Sequence, residues 1–171
     1  MIITTEMIMK KEPCKEYTQE RVQELVGEGK TLLELTELDI PALDRVWVIT
    51  RFLNSKTNRK FAIWCARRCK ISIQAITDYV DITEKYYNGK ATKEELRAAR
   101  SVACSTSYHV AYHAINHAAY YTADYAANHA ADYAAYFAAY HAIDYATHYA
   151  ANPEVEQKRQ IEKLKELIGE K

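Results

Sequence analysis

Apolar residues recur along this chain at intervals of three and four, and no stretch keeps the period of two that marks a half-buried strand. The pattern predicts an all-α protein, a multi-helix bundle. Tyr17 to Val26 reads as a short helix stopped by Gly27-Glu28-Gly29, and Lys30 to Leu38 follows with leucines at 32, 33, 35 and 38. Pro41 after Asp39 signals a helix start, with Leu43, Val46, Trp47, Ile49 and Leu53 as its inward face. Asn54 to Asn58 reads as a polar loop. The next helix runs from Arg59 to about Ser72 with Phe61, Trp64, Cys65 and Cys69 inside, and Ile73 to Tyr87 continues until Asn88-Gly89 ends it. Thr92-Lys93-Glu94-Glu95 is a capping box opening another helix. Asn152-Pro153 opens the last one, with Glu154 and Glu156 in its first turn and Val155, Ile161, Leu164 and Ile168 as its apolar face.

Between the last two starts the pattern changes character. From Val110 to Tyr149 the chain is ten tetrads, beginning VAYH, AINH, AAYY, TADY, whose first two places are small or aliphatic and whose fourth is always aromatic or His. Ser101 to Asn152 contains no Lys, Arg, Glu, Gly or Pro, yet holds all six histidines and ten of the fourteen tyrosines. Alanine is the best helix former and nothing here breaks a helix. A repeat of four overshoots a helical turn by roughly 40°, so the aromatic stripe winds round the cylinder. One unbroken rod from Thr92 to Pro153 would be about 90 Å long, against a diameter of roughly 40 Å for a compact chain of this size. The repeat is therefore expected to fold back into antiparallel helices, with breaks favoured at Ser105-Thr106-Ser107, Thr122 and Asn128. Aromatic ridges would lie in alanine grooves, their hydroxyls and imidazoles bonded to Asp124, Asp132, Asp144, Asn116 and Asn128. A stripe that wraps the helix also favours a homo-oligomer.

Composition narrows the class. At 171 residues, with 23 basic and 23 acidic side chains, the chain has the length and apolar content of one domain. It divides into N-terminal helices over 1–90, the alanine-rich repeat over 91–152 and a C-terminal amphipathic helix over 153–171. The balanced charge argues against a general nucleic-acid binder, which would show a marked basic excess. No apolar run approaches a membrane span, residues 1–12 lack the features of a signal peptide, and four cysteines do not make a secreted scaffold. A cytoplasmic protein with free thiols is expected.

Four groups of residues carry candidate chemistry. Arg51, Lys56, Arg59, Lys60, Arg67, Arg68 and Lys70 follow one another without an acidic residue among them. Such a run suits a phosphate or an acidic partner; the plainer reading is a solvated face complementing acids such as Glu16 to Glu28. Arg67 and Arg68 are adjacent, so they cannot both serve one tight anion clamp. His109, His113 and His117 stand at helical spacing, and His113 and His117 are the weak metal candidates; a third ligand would have to come from another helix. Cys65 and Cys69 share a helix face and read as small buried hydrophobes. Finally, Tyr112, His113, Asn116, Tyr120 and Asn128 could line a groove in which a flat base stacks and a hydroxyl or amide reads its edge. Glycine-rich phosphate loops and nucleophile motifs are absent, so no enzyme and no cofactor is expected.

Two non-repetitive segments, DIPALDRVWVITRFL (Asp39 to Leu53) and RKFAIWCARRC (Arg59 to Cys69), carry a resemblance. With NGKATKEELRAAR (Asn88 to Arg100) leading into the alanine repeat, they resemble the immunity-protein family found beside bacterial polymorphic-toxin systems and recurring in phages. The likeness runs from about Leu32 to Asn152. Relatives place Arg, Asp and Trp between the alanine pairs, where this chain has Tyr, His and Asn. What the resemblance implies is an all-helical, non-catalytic binding protein whose partner is a toxin or a defence component. Arg51, Arg59, Lys60 and Arg67 are the expected partner-binding residues on that reading. The alternative is a protein that sequesters a nucleotide-like small molecule in the Tyr/His/Asn groove.

Overall fold

The computed structural model describes residues 1–68, 74–106 and 152–170. Among them the fold is all-α, with eight helices: α1 Thr5–Met9, α2 Gln19–Val26, α3 Leu32–Leu35, α4 Ala42–Thr50, α5 Ser55–Arg68, α6 Gln74–Tyr87, α7 Lys93–Thr106 and α8 Pro153–Gly169. The tetrad repeat and its expected antiparallel folding lie outside the described residues. So do Cys69 and the candidates Tyr112, His113, Asn116, His117, Tyr120 and Asn128. No helix among the described residues is long and apolar enough to cross a membrane.

The chain is organised as two compact units. The first comprises Met1–Leu53 and Gln157–Lys171, the second Asn54–Glu156. In the first unit α1 packs on α2 and α3 on α4. These are very short helices, and isolated helices of such length are marginal in water. Their ends show what holds them. Thr4, Thr18 and Thr31 each cap the following helix, the side-chain oxygen accepting from a backbone N–H one turn ahead. Thr31 and Glu34 form a full capping box. The chain between helices is pinned by a two-way backbone pairing: Ile3 N donates to Lys30 O at 2.8 Å, and Lys30 N returns to Ile3 O at 3.0 Å. Gly29 makes that approach possible. Its φ is +123°, and a Cβ there would stand 2.5 Å from Ile2 Cγ2. Ile3, Leu35, Val46, Ile49 and Leu164 are buried within this unit.

Two inward faces differ from those the pattern predicts. On α4, Leu43 is exposed while Val48 and Thr50 are buried. Leu43 sits in the first turn, next to Pro41, and the three consecutive apolar residues Val46, Trp47 and Val48 leave periodicity unable to choose the face. On α8, Val155 is exposed, and the buried positions are Glu156, Gln160, Ile161, Leu164 and Leu167. The stripe follows intervals of three and four as expected, but it begins on a carboxylate. The polar loop expected over Asn54 to Asn58 is instead the start of α5: Asn54 Oδ1 accepts from Thr57 N at 2.9 Å, capping the helix, and Asn58 is buried.

In the second unit α6 packs most extensively on α7 and also on α5. Phe61, Ala62, Cys65, Tyr79, Val80 and Leu96 are its buried apolar side chains among the described residues. The capping box at the head of α7 forms as its sequence predicts: Thr92 N donates to Glu95 at 2.7 Å, and Glu95 N donates to Thr92 Oγ1 at 3.1 Å. The end of α6 also follows its Asn-Gly signal. Gly89, at φ +68°, donates to Tyr86 O at 3.0 Å and Lys90 N to Lys85 O at 2.8 Å, a Schellman closure.

Candidate functional site

α5 carries Lys56, Arg59, Lys60, Arg67 and Arg68 and no acidic residue. At roughly 100° per residue these cations cannot share one direction, and the fold divides them by the side of the helix each falls on. Asn58, Phe61, Ala62 and Cys65 are buried and define the inner side. Lys56, Lys60 and Arg67 fall on the opposite side and are exposed, whereas Arg59 and Arg68 occupy the flanks and are half-buried.

The two arginines at the C-terminal end of α5 are committed to carboxylates. Arg67 Nη2 donates to Asp81 Oδ1 at 2.7 Å and to Glu84 Oε2 at 2.5 Å, both on α6. Those bonds raise its pKa above the ordinary guanidinium value, Glu84 contributing most. Arg68 makes a two-pronged contact with Glu156 in the first turn of α8, Nε to Oε1 at 2.5 Å and Nη2 to Oε2 at 2.7 Å. The Glu156 side chain is only 5 % exposed. Its place at the head of α8 and that of Arg68 at the end of α5 both favour the respective charge through the helix dipoles. The guanidinium of Arg68 also lies 4.9 Å from the centroid of Trp64, which stacks in turn on Phe61 at 6.1 Å with an interplanar angle of 11°. Carboxylate, guanidinium, indole and phenyl thus form one ladder through Arg68, and with the separate Arg67 pairs it makes both arginines structural cross-links. They point to different partners, as their adjacency requires.

Arg59 is placed differently. Its guanidinium lies 5.1 Å from the centroid of Tyr87, the last residue of α6. Its Nε is buried and has no hydrogen-bond partner among the described residues. Lys56 and Lys60 stand three residues before and one after it, so the three occupy adjoining positions i, i+3 and i+4 on α5. Arg51 belongs to the first unit. It closes α4 and lies over Trp47, 4.9 Å from the centroid. Of the expected basic residues, then, Arg59, Lys60 and Arg67 share α5, and Arg51 is described apart from them. Sequence reasoning did not single out Glu156 or Tyr87. Tyr87 carried a signal, an aromatic at a helix end beside a Gly stop, but Glu156 looked like an ordinary first-turn acid.

The first unit has its own half-buried polar contact. Tyr17 donates to Asp44 Oδ2 at 2.6 Å across 27 residues. Burial, then the adjacent carboxylate, pushes the phenol pKa well above its ordinary value. Lys165 of α8 joins Glu37 at 2.8 Å and Glu162 at 2.9 Å, and the Lys165 contact lowers the pKa of Glu37. Of the cysteines, Cys14 is an exposed free thiol and Cys65 a buried one. Among the described residues no three His, Cys, Asp or Glu side chains are grouped to hold a metal ion.

No family model matches the chain, and neither a curated protein nor a solved structure matches it.

Proposed function

We propose that this is a cytosolic, non-catalytic helical protein that neutralises a protein partner by occupying its surface, in the manner of an immunity or phage anti-defence protein. The observation that carries the reading is the division of labour on α5. Arg67 and Arg68 are tied to carboxylates of their own unit, while Lys56 stands on the exposed side of the same helix, which bears no acid. An exposed helix turn that bears cations and no acid of its own suits a docking surface for an acidic protein. The resemblance of Asp39 to Leu53, Arg59 to Cys69 and Asn88 to Arg100 to the immunity-protein family supports the same class. It makes a toxin or a defence component the partner of choice.

The test compares wild type with Lys56→Glu/Lys60→Glu as bait in cells that make the natural partners, followed by native mass spectrometry of the purified material. The expected result is a complex with another protein, weakened at least about tenfold by the double charge reversal. A wild-type chain that carries instead an adduct of a few hundred daltons and no protein overturns the reading. It would favour nucleotide sequestration by the Tyr-, His- and Asn-rich repeat. The same spectrum reads the homo-oligomer that the winding stripe favours.

A further inference from the structure

We infer that Arg59 is the anchor of the docking surface, and that it receives a carboxylate from an acidic protein; the inference rests on the binding role proposed above. Three observations converge on this residue. Unlike Arg67 and Arg68, it meets no carboxylate among the described residues. Its guanidinium is held over the Tyr87 ring at 5.1 Å, and its Nε is already buried. Folding has therefore fixed the plane of the fork and removed part of its water before any partner arrives. Both changes favour an incoming carboxylate, because less side-chain freedom and less hydration remain to be lost.

The third observation is the company Arg59 keeps. Lys56 and Arg59, at i and i+3, repel one another on the helix surface, and α5 carries no acid of its own. An acidic surface laid along this turn removes that repulsion. The neighbouring carboxylates narrow the class of partner. Asp81 and Glu84 stand beside Arg67 farther along the same helix, each more than two-fifths exposed. They oppose a nucleic-acid backbone, which is uniformly anionic, and tolerate a protein surface of mixed charge. Enriched as arginine is among the residues that dominate interfaces, one pre-stacked on an aromatic ring is the natural centre of the contact.

The probe is a fluorescein-labelled oligoglutamate peptide, titrated with the full chain at low salt and followed by fluorescence anisotropy. Arg59→Gln keeps two of the three stem methylenes and is expected to weaken binding about tenfold, with Arg59→Lys intermediate. Lys158→Gln, an exposed change on α8, should leave affinity within about twofold. Circular dichroism checks that each variant folds. Tyr87→Leu, which leaves the charge and removes the platform, should weaken binding by less than Arg59→Gln. Equal affinities for Arg59→Gln and Lys158→Gln overturn the assignment, as does a wild-type chain that ignores the peptide. Tighter binding of ATP or duplex DNA, lost through Arg59→Gln, also overturns it by giving the arginine to a phosphate. Should a captured protein partner bind Arg59→Gln as well as wild type, the anchor fails while the neutralising role stands.

Discussion

In the first unit short helices are set mainly by their ends; in the second, charged and aromatic side chains run between helices. Thr4, Thr18 and Thr31 close the heads of α1, α2 and α3, and the Ile3–Lys30 pairing holds the connecting chain, all within about 30 residues of sequence. In the second unit Arg67 reaches α6 and Arg68 reaches Glu156 on α8, across 88 residues. The same residue type, arginine, also behaves differently in the two. Arg45 donates to the backbone carbonyl of Thr36 at 3.0 Å, a local tie, whereas Arg67 and Arg68 each answer a carboxylate on another helix. Local ties act through backbone conformation and are cheap in loop entropy; distant ones act through charge and need the whole unit assembled.

Breaking the distant tie should cost most. Glu156→Ala leaves Arg68 half-buried without its carboxylate, and the expected loss is about 2–3 kcal/mol in a urea titration. The double variant Arg68→Met/Glu156→Leu should recover much of it, and with the single variants Arg68→Met and Glu156→Leu it closes a cycle whose coupling energy should be at least about 1 kcal/mol. Additive single effects would show that the pair is incidental. In the first unit the matching test is Gly29→Ala. A side chain at φ +123° facing Ile2 Cγ2 at 2.5 Å should cost about 1–2 kcal/mol. A stability unchanged by that substitution would deny the Ile3–Lys30 approach its role.

The smallest effect is also the most diagnostic in its pH dependence. Tyr17→Phe removes the bond to Asp44 and should cost about 1 kcal/mol at pH 7. Because the folded phenol has a pKa raised above the ordinary 10.0, folding favours the protonated form. The stabilisation is therefore complete below pH 10 and is lost as pH rises through the elevated value. Wild type should weaken more than Tyr17→Phe on passing from pH 9 to 11. Parallel curves for the two proteins would remove Tyr17 from the alkaline transition.

The same contrast explains what could be read in the sequence. The all-α class, the head of α7 at Thr92, the Gly89 stop of α6 and the Asn152-Pro153 start of α8 all depend on residues within a turn or two of one another, and each was legible. The capping box of Thr31 and Glu34 was equally legible in its spacing but unread, as was Asn54 at the head of α5. The inward face of α8 was another matter. Hydropathy puts Val155 inside and Glu156 out, and only an arginine 88 residues earlier reverses them. The stacking of Arg59 on Tyr87 is beyond periodicity for the same reason: the partner sits on another helix. Of the candidate site, sequence identified the basic run, while the fold decided which of its members are already bound to carboxylates.

The Arg68–Glu156 contact has a consequence for how the protein comes to be made. Closing a segment of 88 residues costs about 4 kcal/mol in chain entropy, before any stiffness of that segment is counted. Glu156 also emerges from the ribosome long after α5, so a nascent chain must carry Arg68 without its carboxylate for the whole time the alanine-rich stretch is being translated. At about 5–20 residues per second that interval is several seconds, long compared with helix formation. During it the Trp64 ladder stands open at its charged end, and only the arrival of Glu156 closes it.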